Sequence, residues 1–416
     1  MLTAPQPRYR LYTTPVSYLT IARDILAGSP DGANDRERLE VAICAQLNVG
    51  FAVSVPQDRV GIFLAVRALV APGRKVILSP YTLSDVVNMV ICAGAIPVFA
   101  DIDRITCNID PDAVERLIDS ETDAVLVTHL HGLACDMQRF RQICDRHGLK
   151  LIEDAAQAFG TRFAGRHVGT FGDAGVFSFG LYKNVNSFLG GMLVTGHQDV
   201  HDKVRALMDE WPREGWRRLL GKSLKGLASD LATYPPLFKT LTYWVFRYAY
   251  IHDIGFLNRK VMIELNPRRK NTLPEHYQRK LSGAQARVVL AQLGNVDRFS
   301  KTRMEIARIY HEGLSNIPEL ILPPYTDDGS HIYTYYPLQS PHRMELIRFM
   351  VESGRDIAVQ HLRNCAELPC FEEFSRPCPN ASATAEQCIL LSTYPRFGHR
   401  DAERNVAAIR RFYGAV

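Results

Sequence analysis

Four short apolar runs alternate with helical patterns in the first half of the chain: KVILSP (75–80), PVFADI (97–102), AVLVTHL (124–130) and LKLIEDA (149–155). This alternation is typical of a parallel sheet covered by helices on both faces. Ligands bind at the carboxyl ends of the strands in such sheets. We therefore expect functional side chains directly after these runs, with Asp101, His129, His131 and Asp154 as the first candidates.

Composition excludes several classes of protein. The 416 residues are 46% hydrophobic and 22% charged, which is ordinary for a folded chain of two to four domains and unlike a disordered or multispanning membrane protein. The nine cysteines form no CxxC pair, and the N-terminus lacks a signal-peptide pattern. We expect a reducing compartment and a cytoplasmic protein.

Two further strands, VFSFG (176–180) and GMLVT (191–195), are predicted on either side of a polar loop that contains Lys183. A lysine in a loop is usually solvated. The apolar flanks of this one favour partial desolvation, which lowers the pKa of an amine and makes it a better nucleophile. Lys183 is therefore a candidate catalytic residue, with Asp154 and Ser178 at neighbouring strand ends.

The order of these segments resembles a known family. The run from PYTLSDVVNMV through VTHLHG to LIEDAAQAFG, VFSFG, Lys183 and FLGGMLVT is similar to the DegT/DnrJ/EryC1/StrS sugar aminotransferases over about residues 37–205 and 276–413. These are pyridoxal-phosphate (PLP) enzymes of fold type I. The resemblance implies an α/β fold with a mostly parallel central sheet sandwiched by helices, and a smaller C-terminal α+β domain.

The resemblance also implies roles for individual residues. Lys183 would form a covalent imine with PLP and then move a proton, Asp154 would keep the pyridine nitrogen protonated, Gln157 would bond near the ring hydroxyl, and Ser178 would hold a phosphate oxygen. The same family pattern implies a homodimer with shared active sites.

The chain departs from the family pattern at the phosphate loop. Where relatives have Ser-Gly-Thr-Ala at the start of a helix, this chain has SVPQDRVGI, with Asp58 and Arg59 at the Gly-Thr positions. The helix N-terminus still favours an anion. We expect Arg59 to contact the phosphate directly, with a surface or substrate-facing position as the alternative.

A second group of departures concerns the ring and the partner subunit. The family's Thr-aromatic pair is Thr82-Leu83 here, so aliphatic contact replaces stacking unless Tyr81, which is equally consistent with a buried structural role, stacks on the ring. The asparagine that reaches across the dimer to the phosphate corresponds to Gln278.

Four histidines are candidates for substrate binding. His129 and His131 lie two residues apart on a predicted strand, which would place both on one face. We expect one of them to line the substrate pocket and expect no metal site, because no third ligand is evident. His331 and His361 resemble family positions near the substrate entrance.

The predicted domains are 1–205, with the large PLP-binding domain, a basic aromatic helical insertion at 206–275, and the small domain at 276–416. Residues 211–270 contain 12 Lys and Arg against 4 Asp and Glu, and all three tryptophans. This pattern suits an anionic membrane or a lipid-linked substrate, placing the protein at the inner face of the membrane. The alternative is a helical hairpin packed on its own domain or on a partner subunit. We expect no nucleic-acid binding.

The expected function is transfer of an amino group from an amino acid, with glutamate the donor in most of the family, to a keto sugar, nucleotide-linked, or a related cyclic ketone. Two alternatives remain at this point. One is a PLP enzyme of another reaction class, such as decarboxylation, elimination or epimerisation. The other is a non-catalytic homologue used for binding.

Overall fold

A computed structural model of the chain describes residues 5–28, 32–252, 266–359 and 362–415. Its largest element is a seven-stranded sheet of order β1-β10-β9-β6-β5-β2-β4. The strands are β1 (Phe51–Val55), β2 (Lys75–Leu78), β3 (Tyr81–Thr82), β4 (Ile96–Phe99), β5 (Thr122–Thr128), β6 (Lys150–Asp154), β7 (Arg162–Phe163), β8 (Arg166–His167), β9 (Ala174–Ser178), β10 (Gly191–Thr195), β11 (Tyr336–Gln339), β12 (Ala358–Val359), β13 (Arg363–Asn364) and β14 (Cys388–Leu391).

Helices cover both faces of this sheet. The α-helices of more than three residues in the described ranges are α1 (Pro15–Leu26), α2 (Ala33–Leu47), α3 (Asp58–Leu69), α4 (Ser84–Cys92), α5 (Pro111–Glu115), α6 (Met137–His147), α7 (Gln198–Met208), α8 (Trp216–Ala232), then Tyr243–Ile251, Gly283–Leu293, Val296–Leu314, Arg343–Glu352, Pro379–Gln387 and His399–Phe412. Val176 and Phe177 are adjacent on β9, yet Val176 belongs to the core under α3 and α4 while Phe177 belongs to the core under α2. Successive side chains of a strand point to opposite faces, so the sheet is buried on both sides.

The predicted α/β architecture is confirmed. Parallel pairing joins β4, β2, β5, β6 and β9, and β10 is antiparallel to both of its neighbours. The carboxyl ends of β5, β6 and β9 therefore lie side by side, with the N-terminus of α3 beside them. The predicted hairpin with Lys183 in its loop is formed by β9 and β10.

A smaller unit follows in the last third of the chain. Its three-stranded antiparallel sheet has the order β11-β14-β12 and packs against Val296–Leu314, Arg343–Glu352 and His399–Phe412. The helical pattern of residues 281–314 is divided into two helices at Gly294, a residue of low helix propensity. The first helix packs on α2 and the second on the small sheet.

The predicted insertion forms helices over its described part. α8 packs on α1, and Tyr243–Ile251 packs on Arg343–Glu352, where the Tyr243 hydroxyl donates a hydrogen bond to the carbonyl of Val351 at 2.5 Å. The predicted boundary at 205/206 lies inside α7, and the division into three domains stays a prediction. None of the helices in the described ranges is long and apolar enough to cross a membrane.

Candidate active site

A cavity opens where the carboxyl ends of β5, β6 and β9 meet the N-terminus of α3. It brings together eight of the residues singled out in the sequence. The lining consists of Gln57, Asp58, Arg59, Thr82, Leu83, Val86, Thr128, Leu130, Asp154, Ala156, Gln157, Ser178, Lys183, Leu189, Gly190 and Leu362. These residues come from six separate segments, so only the folded sheet assembles them.

Lys183 lies in the loop between β9 and β10. The loop is closed at its base, because the backbone N–H of Phe179 donates to the carbonyl of Gly190 at 2.8 Å and the N–H of Ser187 donates to the carbonyl of Phe179 at 2.9 Å. Burial lowers the pKa of the Lys183 amine, and Asp58 and Asp154 partly oppose this. A lowered pKa increases the fraction of neutral amine, the form that acts as nucleophile and base.

Asp154 ends β6 and is buried. One carboxylate oxygen accepts the backbone N–H of Ala156 at 3.0 Å, and the other accepts the Thr128 hydroxyl at 3.5 Å. Burial raises the pKa of Asp154, while these hydrogen bonds and Lys183 lower it. The carboxylate is fixed in orientation, as required of a group that must face one atom of a ligand.

Gln157 and Ser178 complete this end of the cavity. The side-chain oxygen of Gln157 accepts the backbone N–H of His131 at 3.0 Å, and the Ser178 hydroxyl accepts the N–H of Gly180 at 3.3 Å. Both side chains are held by backbone groups of neighbouring loops. Each hydroxyl or amide keeps further hydrogen-bonding capacity for a ligand.

The α3 end of the cavity, formed by Gln57, Asp58 and Arg59, contains an acidic side chain. Asp58 is the first residue of α3, and its Oδ1 atom is buried without a hydrogen-bond partner. Burial raises the pKa of this carboxyl, and Asp154 raises it further, while Lys183 and Arg59 lower it. Buried polar atoms are usually hydrogen-bonded, so the unpaired Oδ1 of Asp58 is unusual. A carboxylate at this helix N-terminus also differs from a phosphate site that contains only cationic and N–H groups.

Arg59 is held by a neighbouring carboxylate. Its guanidinium pairs with Asp85 on α4 and lies 3.4 Å from the Tyr277 hydroxyl. Lys270 pairs with the same carboxylate, and the Tyr277 hydroxyl donates to it at 3.0 Å. These two cations hold the pKa of Asp85 below its usual value against the opposing effect of burial. The predicted direct contact between Arg59 and a phosphate stays a prediction.

Thr82 and Leu83 line the cavity, whereas Tyr81 does not. Tyr81 and Thr82 are neighbours on β3, so their side chains point to opposite sides, and Tyr81 is fully buried in the core beneath α3 and α4. Tyr81 is thus part of the core and does not line the cavity, and its contact with a ligand ring stays a prediction.

The two histidines after β5 do not share a face. β5 ends at Thr128, and His131 has a left-handed φ of 57°, so strand alternation does not extend to it. His129 is fully buried, with Nε2 3.1 Å from Glu153 and Nδ1 accepting the N–H of Cys135 at 3.0 Å. His129 is thus engaged within the core and does not line the cavity.

His131 and His331 lie close to each other, and neither lines the cavity. Both are fully buried; burial and the charge of Lys183 lower the pKa of His131 to about 3, and burial and His131 lower that of His331 to about 3. Both imidazoles are therefore neutral at physiological pH. His361 lies outside the described residues. Gln278 is half-buried and donates from Nε2 to the carbonyl of Leu273 at 3.1 Å, away from this cavity.

Several contributors escape sequence reasoning. Thr128 directly precedes His129 at a strand end, so the strand-end rule itself could have found it. Asp85 and Lys270 are 185 positions apart, and no local pattern indicates their pairing. In the described ranges, no group of three or more His, Cys, Asp or Glu side chains is placed to hold a metal ion.

Comparison with known proteins identifies the class. A model of the DegT/DnrJ/EryC1/StrS aminotransferase family matches residues 29–226 and 262–410. The chain belongs to this family, and the protein is an enzyme, an aminotransferase.

Individual relatives agree with this assignment. GDP-perosamine synthase of Vibrio cholerae is 31% identical over 91% of this chain and 91% of its own length. The spore coat polysaccharide biosynthesis protein SpsC of Bacillus subtilis is 30% identical over 90% of this chain and 88% of its own. The crystal structure of DesV from S. venezuelae, in complex with a ketimine intermediate, is 25% identical, covers 96% of this chain and 95% of its own, and superimposes with a TM-score of 0.73.

At the Lys183 end, the cavity residues fit PLP, the cofactor of these aminotransferases. At the α3 end they fit it only in part. A buried amine with a lowered pKa, an oriented carboxylate and two hydrogen-bonding side chains converge at the Lys183 end. The α3 end supplies a helix N-terminus and Arg59, but also the unpartnered Asp58 oxygen. The cavity therefore contains a lysine able to bind a cofactor covalently, and its α3 end differs from an all-cationic anion site.

Proposed function

We propose that the protein is a PLP-dependent aminotransferase that moves an amino group from an amino-acid donor, glutamate, to a keto sugar, nucleotide-linked, or to a related cyclic ketone. The observation that carries this proposal is the convergence of Lys183 and Asp154 in one cavity. The name of the relative GDP-perosamine synthase supports a nucleotide-linked sugar as the acceptor class.

Lys183 has two tasks in this proposal. Its Nζ would hold the cofactor covalently, and the released amine would then act as the base that carries a proton between two carbon atoms. Burial suits the amine to both tasks, because it lowers the pKa toward the working pH. When bound, PLP supplies an aldehyde that accepts the amino group and a ring that withdraws electrons from the reacting carbon.

Asp154 would keep the pyridine nitrogen of the cofactor protonated, and its hydrogen bonds to Ala156 and Thr128 hold the carboxylate in one orientation. Gln157 and Ser178 would orient the ring and the phosphate, and Leu83 supplies an apolar wall. A substrate-binding role for His131, His331 and His361 stays a prediction, since neither of the two described histidines lines the cavity.

The assembly and location stay predictions. A homodimer with shared active sites, in which Gln278 contributes to the partner's phosphate site, follows from the family pattern, and sedimentation velocity would test it. A cytoplasmic location agrees with the odd number of cysteines, nine, and with the lack of a CxxC pair in the sequence.

Spectroscopy of the first half-reaction tests the activity. Adding L-glutamate to the purified holoenzyme is expected to convert the bound cofactor from its aldehyde to its amine form, with loss of visible absorbance and release of 2-oxoglutarate. A nucleotide-linked keto sugar should then restore the original spectrum. A panel of amino acids that leaves the spectrum unchanged, with cofactor bound, would contradict transamination by this protein.

A further inference from the structure

An exposed apolar stripe runs along α8 and continues through the following helices. Among the described residues, 18 large apolar side chains are exposed, and 11 of them lie between positions 216 and 248. We call these the outer stripe: Trp216, Leu220, Leu224, Leu227, Leu231, Tyr234, Leu237, Leu241, Trp244, Val245 and Tyr248. Their concentration in so short a segment exceeds what scattered surface residues explain.

The outer stripe is distinct from the face of α8 that packs on the protein. Leu219, Ser223 and Gly226 form the buried face, and Gly226 lies so close to Phe188 that an added Cβ would approach its ring to 2.5 Å. The spacing of Leu220, Leu224, Leu227 and Leu231 by four, three and four residues places them on a second face of the same helix. α8 thus has two apolar faces, one packed on the protein core and one exposed to solvent.

Charge on this surface has one sign. In residues 211–252, the two acidic side chains turn inward: Glu214 is buried in an ion pair with Lys222, and Asp230 accepts the Tyr18 hydroxyl at 2.6 Å. Arg217 and Lys225 remain exposed beside the stripe. The outward-facing charge of the segment is therefore cationic.

Aromatic and basic side chains alternate at the edges of the stripe. The Arg217 guanidinium lies 5.3 Å from the centre of the Trp216 ring, and Arg247 lies 5.8 Å from that of Trp244. Tryptophan with arginine is the combination that occupies the headgroup level of a bilayer, where the ring contacts acyl chains and the cation contacts phosphates.

We infer that the outer stripe docks on an anionic lipid bilayer, with its apolar side chains below the headgroups and Arg217 and Lys225 among them. A second copy of the chain is the less suitable occupant. In a two-fold symmetric contact, the same patch of both chains forms the interface. Arg217 and Lys225 of both chains would then lie in one interface, and no exposed acidic side chain of residues 211–252 would balance their charge.

Docking would bring the active-site loop close to the membrane. Ser229 of α8 lies 3.3 Å from the hydroxyl of Tyr182, the residue that precedes Lys183, and Phe188 of the same loop packs on Gly226. The membrane-facing helix and the cofactor-binding loop are therefore in direct contact. This inference is independent of which ketone the enzyme aminates.

Vesicle flotation with the holoenzyme tests the inference. We expect binding to vesicles of phosphatidylcholine and phosphatidylglycerol at about 7:3, weaker binding at high salt, and little binding to phosphatidylcholine alone. Leu224→Ser with Leu231→Ser, each wild-type residue being 54% exposed, should reduce binding about tenfold or more. Arg217→Glu with Lys225→Glu should reduce it about fivefold for each positive charge removed.

Matched variants elsewhere on the surface serve as controls. Val41→Ser with Ile105→Ser changes two residues that are 65% and 54% exposed, and Lys301→Glu with Arg308→Glu reverses two exposed charges on another helix. Both pairs should bind vesicles like the wild type. Cofactor absorbance and circular dichroism confirm that every variant is folded.

Three outcomes would overturn the inference. The first is a folded holoenzyme that does not float with anionic vesicles. The second is flotation that the stripe variants leave unchanged. The third is loss of an oligomer in Leu224→Ser with Leu231→Ser without vesicle binding by the wild type, which would make the stripe a contact between copies of the chain.

Discussion

The two ends of the active-site cavity differ in how completely their polar groups are paired. At the Lys183 end, Asp154, Gln157 and Ser178 each accept a hydrogen bond from the surrounding backbone. At the α3 end, the Asp58 oxygen is buried without a partner, and Arg59 is committed to Asp85.

This difference indicates which features the chemistry demands. The amine and the carboxylate act on atoms whose reactivity they change, so their identity and orientation are constrained. A phosphate only anchors the cofactor, and any set of donors with sufficient affinity will serve. We therefore expect substitutions of Lys183 and Asp154 to affect turnover, and substitutions of Asp58 and Arg59 to affect cofactor affinity.

The largest expected effect is that of Lys183→Ala. Loss of both the covalent attachment and the proton carrier should reduce transamination by at least about a thousandfold. Borohydride treatment followed by peptide mass spectrometry should find the cofactor on Lys183 in the wild type and on no residue in the variant. Lys203→Ala, on α7, is the matched control and should behave like the wild type. Trapped cofactor in the Lys183→Ala protein would disprove the assignment.

Asp154→Asn is expected to have the next largest effect. Without a carboxylate the ring nitrogen loses its proton, and kcat should fall about a hundredfold, the range of a charge-assisted hydrogen bond. KM for the amino donor should change little. Asp136→Asn, at the N-cap of α6, is the control, since asparagine caps a helix as well as aspartate. A fall in cofactor affinity with kcat unchanged would place Asp154 among the anchoring groups instead.

Above about pH 8, where the Asp58 carboxyl is ionised, Asp58→Asn should tighten cofactor binding about tenfold, because removing a negative charge near a phosphate relieves repulsion. The pKa of Asp58 is raised, so its neutral form persists above the ordinary range, and its charge develops only as the pH rises through that higher value. Cofactor affinity of the wild type should therefore fall between about pH 6 and about pH 9, and that of the variant should fall less.

Equilibrium titration of the apoenzyme with PLP, followed by absorbance, measures this effect. Asp112→Asn on α5 changes an acid distant from the cavity and should leave the titration unchanged. Weaker binding by Asp58→Asn would show that the carboxyl donates a hydrogen bond to the phosphate rather than repelling it.

The smallest effect is expected from Arg59→Ala. The guanidinium is already paired with Asp85, so we expect the dissociation constant of the cofactor to increase only about threefold to fivefold. Asp85→Asn frees Arg59 and should lower the dissociation constant. Arg67→Ala, near the other end of α3, controls for loss of a charge from the helix. An unchanged constant in Arg59→Ala would remove the proposed phosphate contact.

Much of this arrangement can be predicted from local sequence. Apolar runs followed by polar residues identify β2, β5 and β6, and the position of Asp154 follows because it ends such a run. Lys183 stands out because its flanks form two strands. These features depend on short-range periodicity, which a single sequence contains.

Other features depend on which elements meet in space. The pairing of Asp85 with Lys270 joins α4 to a segment 185 positions away, and no spacing rule reports it. The opposite orientation of Tyr81 and Thr82 depends on where the two-residue strand β3 begins. Likewise, β5 ends at Thr128, so His129 and His131 lie beyond the strand and need not share one face. An error of one residue in a strand boundary is enough to reverse a prediction of side-chain direction.

The loop that contains Lys183 is fastened at both ends by the pairing of β9 with β10, where Ser178 stands opposite Gly191. Because both ends of the loop are fixed, its length determines where the Lys183 amine lies. Substitutions inside the loop can leave that position unchanged, whereas a deletion or insertion would move the amine away from Asp154. We therefore expect evolution of this enzyme to tolerate substitutions between Ser178 and Gly191 but to conserve the number of residues between them.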